Sequence, residues 1–470
     1  MNVSPPRSVW QAMCFAGMAC VSSFLVWNPS YAENEKKQTY MPVVIKKAFS
    51  ETVKADTQAR SKILERQKSL FEERYDLSDQ GAKGVTMSAG KPIQEGVRVK
   101  LPKGMTWEKL ATLSPKDIQS QGLFPKGFLS LPHVKHDPGG QVFPPDQISA
   151  IQEAEGRSLE RFDVEFDLPG HFLPDFPPPI FLTTRPELGD VSQGKVLTIK
   201  NYYELLHGIL TPVQMEGLRL LLTPFPQQQF NQTEDRKVES PSLGVTCLDC
   251  HTNGHTNGAF HLNPDTRPQA ARFRLDTVSL RGLFNQQIHG SKRSLRSVED
   301  FTEFEQRTAY FDGDHVIAAK KGVHLPDRAS QVAFMAQMQN MFDFPPAPKL
   351  NHLGRLDPAK ATEEEMIGQE LFFGKAQCGE CHPAPFYLDD KMHDLKVERF
   401  FEPQLINDQW VHADGPIKTF TLRGIKDSPP YLHDGRLLTL EDTVEFFNII
   451  QGLTLTAKEK KALVSFLRVL

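Results

Sequence analysis

Two short strings constrain this chain more than any other feature: Cys247-Leu-Asp-Cys250-His251 and Cys378-Gly-Glu-Cys381-His382. Each has the C-x-x-C-H spacing, in which two thiols can form thioethers to a porphyrin while the adjacent His binds its iron. A fold that carries both strings must build a pocket around each group. The sequence therefore predicts two covalent haem c groups, held by Cys247, Cys250, Cys378 and Cys381, with His251 and His382 as the proximal iron ligands.

The same Cys pattern has two other uses, as a half-site for zinc and as a redox-active dithiol. Two zinc-binding knuckles usually lie much closer together in a chain than these strings do. A redox dithiol needs no His after its second Cys, whereas both strings have one. Haem attachment therefore explains more of each string than either alternative.

The remaining cysteines lie at the N-terminus. The chain of 470 residues has six cysteines, and Cys14 and Cys20 fall in a stretch typical of a secretory signal peptide. Arg7 precedes an apolar run, and Ser30-Tyr-Ala32 offers small residues at the cleavage positions. We predict that residues 1–32 are a signal peptide and that the mature protein is periplasmic, outside the bacterial cytoplasm, where c-type haems are attached.

Two alternatives to cleavage stay open from the sequence. The apolar run approaches the lower length limit of a membrane span, so an uncleaved anchor would also fit, although Gln11 interrupts the run. Cys20 could instead carry a lipid, but Gly17-Met-Ala19 lacks the large apolar residue that normally precedes a lipoprotein Cys. We expect no stable membrane span after cleavage.

Composition and charge set the broad class. Hydrophobic residues make up 39% and charged residues 24% of the chain, as in ordinary globular proteins. The net charge of −4 disfavours nucleic acid as a partner, because binding to phosphates needs an excess of basic residues. The length leaves room for about two to three domains.

We divide the mature chain into three regions. Residues 33–200 form a Pro-rich N-terminal extension of unknown fold, residues 201–350 a first cytochrome c-like haem domain, and residues 351–470 a second one. The expected class is mainly α with long loops. Helices are predicted over 44–75 and 202–222, a strand over 161–168, and helix starts at Ser114-Pro115, Thr362 and Thr456, where the spacing is typical of caps.

Four strings near the second haem motif form a recognisable pattern. They are Gly368-Gln-Glu-Leu-Phe-Phe373, Phe420-Thr-Leu-Arg-Gly424, Pro429-Pro-Tyr-Leu-His-Asp-Gly-Arg436 and Leu440-Glu-Asp-Thr-Val-Glu-Phe-Phe447. Together they resemble the bacterial diheme cytochrome c peroxidase family, which includes MauG. Around the first motif, residues 276–282 and 290–295 match the same pattern more loosely, and residues 33–200 have no counterpart in the resemblance.

The resemblance implies a division of labour between the two haems. The haem in 201–350 would be peroxidatic and reduce hydrogen peroxide. The haem in 351–470 would be the electron-transfer haem, which collects electrons from a small periplasmic donor, a cytochrome c or a cupredoxin. The family also implies a calcium site between the domains, for which residues 414–416 are the candidate here, and a homodimer stays open.

Three histidines are candidates for the distal side of the first haem. His261 is the leading candidate for a distal iron ligand, because the loop from His251 is long enough to cross the haem. His255 follows His251 by only four residues, so the chain between them is less able to cross the haem. His289 lies in a segment that approaches the first haem in the family. Each could instead be a polar loop residue near a propionate.

Acid–base catalysis on peroxide also needs a proton carrier on the distal side. The family places an acid after the loop that ends here near Leu295, where an acidic helical segment follows. We select Glu305 as the catalytic candidate, ahead of Glu303. A helix with this many carboxylates is often only a solvated face.

The second motif departs from the family at Leu432. Family members can place a Met there as the sixth ligand of the second haem, and MauG uses a Tyr, but a Leu side chain cannot bind iron. Tyr431, His433, Met392 and His393 are the alternatives, as is a five-coordinate iron. Because an axial Met raises the potential of a haem, its loss moves weight from a peroxidase toward a MauG-like oxidase.

Three functions therefore compete. The first is a periplasmic peroxidase that reduces hydrogen peroxide to water. The second is a MauG-like diheme oxidase of a protein or organic substrate, for which the N-terminal extension would supply binding surface. The third is a non-catalytic electron-transfer diheme cytochrome. The sequence favours the peroxidase.

Overall fold

Helices account for most of the regular structure in the described part of this computed structural model. The structure describes residues 98–123, 143–159, 170–224, 246–258, 274–291, 294–311, 329–395 and 416–470, with 260–262 and parts of 58–94 and 404–411. These residues belong to one unit, Pro42–Leu470. The predicted signal peptide, the predicted strand at 161–168 and Asp414 of the calcium candidate lie outside the described residues.

The described helices follow the chain in the order α1 (Trp107–Ala111), α2 (Pro115–Ser120), α3 (Pro145–Glu155), α4 (Tyr202–Leu206), α5 (Pro212–Leu221), α6 (Cys247–Cys250), α7 (Val298–Phe311), α8 (Ala329–Gln339), α9 (Glu363–Phe373), α10 (Leu440–Gln451) and α11 (Ala457–Leu467). None of the helices in the described ranges combines the length and the apolar character needed to cross a membrane.

The described strands are short and pair two by two, all antiparallel: β1 (Tyr75–Asp76) with β4 (Arg98–Val99), β2 (Gly81–Thr86) with β3 (Pro92–Gln94), β5 (Phe260–Leu262) with β6 (Arg274–Asp276), β7 (Met392–His393) with β10 (Ile417–Lys418), and β8 (Gln404–Ile406) with β9 (Gln409–Val411). The mainly α class predicted from the sequence is confirmed in this sense, since helices dominate and strands are few.

Side-chain caps fix several helix starts where the sequence predicted them. Thr362 and Thr456 each accept a hydrogen bond from the N–H of the Glu three positions on, and that Glu accepts from the Thr N–H in return. Ser114 accepts from the N–H of Asp117 at 3.1 Å, directly ahead of Pro115. These bonds satisfy backbone donors that a helix start leaves open, and the three predicted starts are confirmed.

The prediction of one helix over 202–222 is wrong. α4 ends at Leu206 and α5 begins at Pro212, because Thr211 forms a new capping box with Gln214 and Pro212 occupies the first turn. Both pieces still bury apolar side chains in the same cluster, which explains the continuous apolar periodicity. Within the stretch predicted to be helical over roughly 44–75, the described residues 71–73 are helical, and Tyr75 begins β1.

Two clusters of buried apolar side chains surround the two haem motifs. One combines residues 180–222 with α8, and it contains Leu248 and Leu280 beside the first motif. The other is built mainly from α9, α10 and α11, and it contains Tyr387 beside the second motif. Each motif is therefore supported by its own packed core.

The N-terminal extension contributes to both regions. The Phe172 ring centroid lies 6.1 Å from that of Phe71 and 5.7 Å from that of Tyr75, and all three belong to the core behind the second motif. A smaller apolar cluster within residues 143–159 has Cys250 of the first motif packed against it. The extension thus supports both haem motifs, although it lies outside the recognised pattern.

Candidate functional site

The first haem motif begins on the one-turn helix α6. Thr246 caps this helix in a capping box with Asp249, whose carboxylate accepts from the Thr246 N–H at 2.6 Å. The helix ends at His251, whose Nδ1–H donates to the carbonyl of Val278 at 2.8 Å. This hydrogen bond fixes the tautomer and the ring orientation, and it leaves Nε2 as the atom that can bind a metal.

The second motif reaches the same arrangement through different local structure. A 3-10 turn, Cys378–Glu380, follows α9, and the Nδ1–H of His382 donates to the carbonyl of Tyr387 at 2.8 Å. The Tyr387 hydroxyl in turn donates to the carbonyl of Gly354, which anchors the segment. Each candidate proximal His therefore presents Nε2, with its ring oriented by a main-chain carbonyl.

The electrostatics of these groups suit iron ligation. Burial lowers the pKa of His251 to about 4 and also lowers the pKa of His382, because the charged imidazolium would lose its hydration. Both rings are therefore neutral at pH 7. Burial raises the pKa of the Cys378 thiol to about 12 and also raises that of Cys381. Neither thiol has the thiolate character that a redox dithiol needs.

A similar loop frames both motifs. Gly282 in the first half and Gly424 in the second adopt positive φ, 79° and 69°, and each opens a short 3-10 turn. Farther along, His289 and Tyr431 each exchange both backbone hydrogen bonds with a Leu later in the loop. The loosely matched pattern of the first half therefore has the local structure of the closely matched second half, and His289 and Tyr431 occupy equivalent positions.

A cavity of about 400 Å³ joins the two motifs. His251 lines it from the first half, and Cys378, Cys381 and His382 line it from the second half. This volume is within the range of pockets that enclose organic ligands, about 300–1,000 Å³. The cavity therefore brings both candidate proximal ligands to one space.

A buried cation in the cavity wall supports haem as the occupant. Arg281 is 4% exposed and lines the cavity, and its Nη2 donates to the carbonyl of Pro179 at 2.6 Å. Its Nη1 lies 3.9 Å from a carboxylate oxygen of Asp427 and makes no hydrogen bond to any residue of the described ranges. A buried N–H without an acceptor is costly, and a haem propionate would satisfy it.

The paired cysteines, the two anchored imidazoles and this guanidinium together form a donor set that fits haem c. Arg281 is a site residue that the sequence motifs did not single out. The sequence does contain a signal for this residue. Arg281 precedes Gly282 as Arg423 precedes Gly424 in the string Phe420–Gly424, and Arg423 also lines the cavity.

His255 is bonded to the protein at both ring nitrogens. Its Nε2–H donates to the carbonyl of Asp427 at 2.8 Å, and its Nδ1 accepts from the hydroxyl of Ser279 at 2.8 Å. Burial and the nearby Arg281 charge lower the pKa of His255 well below its ordinary value, so the ring is neutral. This residue, an alternative distal ligand from the sequence, ties the loop of the first half to the loop of the second.

The other distal candidates fall in different places. Glu305 of α7 and His289 line the cavity, whereas Glu303 is not among the described residues of its wall. His289 is 4% exposed, and burial lowers its pKa to about 4. His261 lies on β5 opposite Leu275, and its side chain lies outside the described residues. Iron ligation by His261 therefore stays a prediction.

Leu432 lies in a tight turn at the cavity wall. Its φ of 65° is in the left-handed region, which is uncommon for a residue other than Gly. Of the alternative ligands for the second haem, Tyr431, His433 and His393 line the cavity. His393 also uses Nε2 in a 2.7 Å hydrogen bond to the carboxylate of Asp389.

Comparison with known proteins points to one family, although no family model matches the chain. A cytochrome-c peroxidase of Denitromonas iodatirespirans is 27% identical, in an alignment that covers 24% of this chain and 42% of the relative. A cytochrome-c peroxidase of Pseudomonas sp. (strain SCT) is 29% identical, over 24% of this chain and 40% of the relative. The methylamine utilization protein MauG of Methylorubrum extorquens is 28% identical, in an alignment that covers 22% of this chain and 33% of the relative. The chain thus spans about two fifths or less of the length of these relatives.

Among solved structures, a MauG-like protein associated with microbial copper homeostasis aligns with 64% of this chain and 94% of that chain, at 18% identity and a TM-score of 0.37. The curated relatives share the cytochrome-c peroxidase and MauG names, and both C-x-x-C-H motifs of this chain have the same His geometry. Over the aligned part, the chain is therefore similar to diheme cytochrome c peroxidases and to MauG.

Proposed function

We propose that this chain is a periplasmic diheme c-type cytochrome peroxidase. It carries two covalent haem c groups, at the motifs that end in His251 and His382. Hydrogen peroxide is reduced to water at the first haem, and electrons arrive through the second haem from a small cytochrome c or cupredoxin. The names of the curated relatives support this reaction, and the predicted signal peptide supports the location.

The observation that carries the proposal is the shared cavity. It brings His251, His382 and an acidic residue, Glu305, to the wall of one cavity. Bound haem iron would supply the electron transfer to peroxide that amino acid side chains cannot. A plain electron carrier needs no ionisable side chain in this position, whereas a peroxidase does.

Glu305 is the proton carrier in this proposal. Reduction of hydrogen peroxide to two waters consumes two electrons and two protons. Cleavage of the O–O bond is faster when a base takes the proton from one oxygen and returns it to the departing oxygen. The Glu305 carboxylate lies in the cavity wall on α7, where it can accept and return that proton.

The exposure of the motifs supports electron arrival at the second haem. In the first motif, Leu248 and Asp249 are buried. In the second, Gln377 and Glu380 are exposed to solvent. A docked electron donor can therefore approach the second motif more closely. Electrons would then cross to the first half, where the His255–Asp427 hydrogen bond already joins the two loops.

Substitution of the proton carrier tests the proposal. Glu305→Gln keeps the size of the side chain but removes the carboxylate, and we expect kcat for peroxide to fall by about 10²–10⁴-fold. The matched control is Glu299→Gln, which changes an exposed carboxylate on the same helix outside the described cavity wall. Steady-state oxidation of a reduced small cytochrome c, after half-reduction of the enzyme, measures both variants.

Three outcomes would contradict the proposal. Wild-type protein that oxidises no reduced carrier in peroxide, with both haems present, would exclude the peroxidase. Such protein would be an electron-transfer cytochrome, or a MauG-like oxidase if it instead oxidised a protein or organic substrate. Unchanged kcat in Glu305→Gln would remove Glu305 from the reaction. An equal loss in Glu303→Gln would show that the charge of α7, and not the position of one carboxylate, matters.

A further inference from the structure

We propose that Arg157, in the N-terminal extension, is a positioning residue for the first haem, and that the buried charge network around it lowers the reduction potential of that haem. The inference rests on the two haem c groups of the proposed function, but it does not depend on peroxide turnover. It assigns a role to part of the extension that the family pattern leaves unexplained.

The network centres on the third residue of the first haem motif. Arg157 donates from Nη1 and Nη2 to the two carboxylate oxygens of Asp249, at 2.8 and 3.0 Å. Its Nε–H donates to the carboxylate of Glu155. Arg157 is 4% exposed and Asp249 is 2% exposed. A two-point bond of this kind fixes both the position and the orientation of the motif backbone.

Further contacts attach the same segment to the motif. Gln147 of α3 donates from Nε2 to the carbonyl of Asp249, and Asn257 donates from Nδ2 to the Gln147 side chain at 3.2 Å. The apolar cluster of Phe143, Ile151 and Leu159 packs against Cys250, a predicted thioether position. Residues 143–159 therefore hold the first motif by charge, by hydrogen bonds and by apolar contact.

The network carries one net negative charge, because two carboxylates share one guanidinium. All three side chains are at most 5% exposed, so water screens this charge poorly. Oxidised haem iron has one more positive charge than reduced iron. A buried negative charge beside the motif therefore stabilises the oxidised state and lowers the reduction potential, as charge and burial around a haem do in general.

The second motif differs at the position equivalent to Asp249; its nearby buried carboxylate, Asp389, is instead hydrogen-bonded to His393 at 2.7 Å. Glu380 occupies the position equivalent to Asp249, but it is exposed and forms no ion pair within the described ranges. Its charge is screened by solvent and has little effect on a nearby redox group. The extension thus makes the two haems unequal, and the first accepted electron resides on the second haem.

Spectroelectrochemical titration of the full-length diheme protein tests the proposal. Asp249→Asn removes the negative charge with little change in size, and we expect the potential of the first haem to rise by about 60 mV, a tenfold change in its one-electron equilibrium. The second haem should not shift. The matched control Glu380→Gln removes the corresponding exposed charge, and neither potential should move.

A second variant lies outside the haem motif and therefore tests the charge effect even if Asp249→Asn fails to attach its first haem. Glu155→Gln removes a negative charge from the same network without touching the haem motif, so the first potential should rise here as well. Haem content is measured in parallel, and selective loss of the first haem in Asp249→Asn supports the positioning role. The proposal is overturned if the first potential is unchanged in Glu155→Gln and in any intact Asp249→Asn, or if Glu380→Gln shifts the second haem equally. These readouts use no peroxide, so an inactive enzyme would leave them valid.

Discussion

At the scale of single residues, hydrogen bonds decide what each imidazole can do. His251 and His382 each donate one Nδ1–H to a main-chain carbonyl, so that Nε2 is the ring atom that could bind iron. His255 differs, because its two nitrogens are both occupied by the protein. The same side chain thus serves as a candidate ligand in two places and as a tie between loops in a third.

Asp442 gives a residue-scale prediction for pH. This carboxyl on α10 is 2% exposed, and burial raises its pKa to about 8. In the unfolded chain its pKa would be about 3.9. Between these values the unfolded state loses the proton and the folded state keeps it, so this group destabilises the folded protein increasingly as pH rises from about 4 to 8.

Asp442→Asn cannot ionise and should escape this effect. Its free energy of unfolding, relative to wild type, should therefore increase with pH over that window and level off above it. Urea unfolding at several pH values measures the difference. Parallel curves for the variant and the wild type would mean that Asp442 ionises normally in the folded protein.

Residue types and spacing alone lead to the prediction of two haem sites, because the C-x-x-C-H chemistry depends on neighbours in the chain. They were not enough for Arg281 or Arg157. The partner of Arg157 lies 92 residues away, and the unsatisfied Nη1 of Arg281 is defined only by the folded cavity. Pairings of this kind depend on tertiary packing, which no local pattern encodes.

At the scale of elements, glycines permit close crossing of two helix pairs. Gly217 of α5 lies against the carbonyl of Phe334 in α8, and Gly368 of α9 lies against the carbonyl of Ala462 in α11. A Cβ at either position would overlap that carbonyl. The two cores beside the motifs are therefore built around a similar contact.

Gly368→Ala tests this packing. The added methyl group must push α9 away from α11, and we expect a loss of about 1–3 kcal/mol in the free energy of unfolding. The control is Gly170→Ala, where a Cβ meets no atom within 4 Å and stability should change by about 0.5 kcal/mol or less. Thermal unfolding of the holoprotein compares them. Equal melting temperatures would show that the helices separate without cost.

Helix starts and helix continuity differ in how far the sequence predicts them. The caps at Thr362 and Thr456 depend on residues three positions apart, and both are confirmed. The break between α4 and α5 was missed, because the apolar periodicity continues through it. Thr211 and Pro212 carry the signal for that break, since a capping residue followed by Pro starts a helix.

At the scale of the whole molecule, the N-terminal extension packs around both C-x-x-C-H motifs. Its residues join the core behind the second motif, and its 143–159 segment binds the first motif. The two motifs share an anchored His and a framing loop, yet their surroundings differ in charge and exposure. Our proposal of a division of labour between two unequal haems rests on this difference.

Electron paramagnetic resonance after delivery of one electron per chain tests this claim most directly. We expect the ferric signal of the His382 haem to disappear, while the ferric signal of the His251 haem remains. Loss of the His251 signal first, or an equal decline of both signals, would contradict the division of labour between the haems.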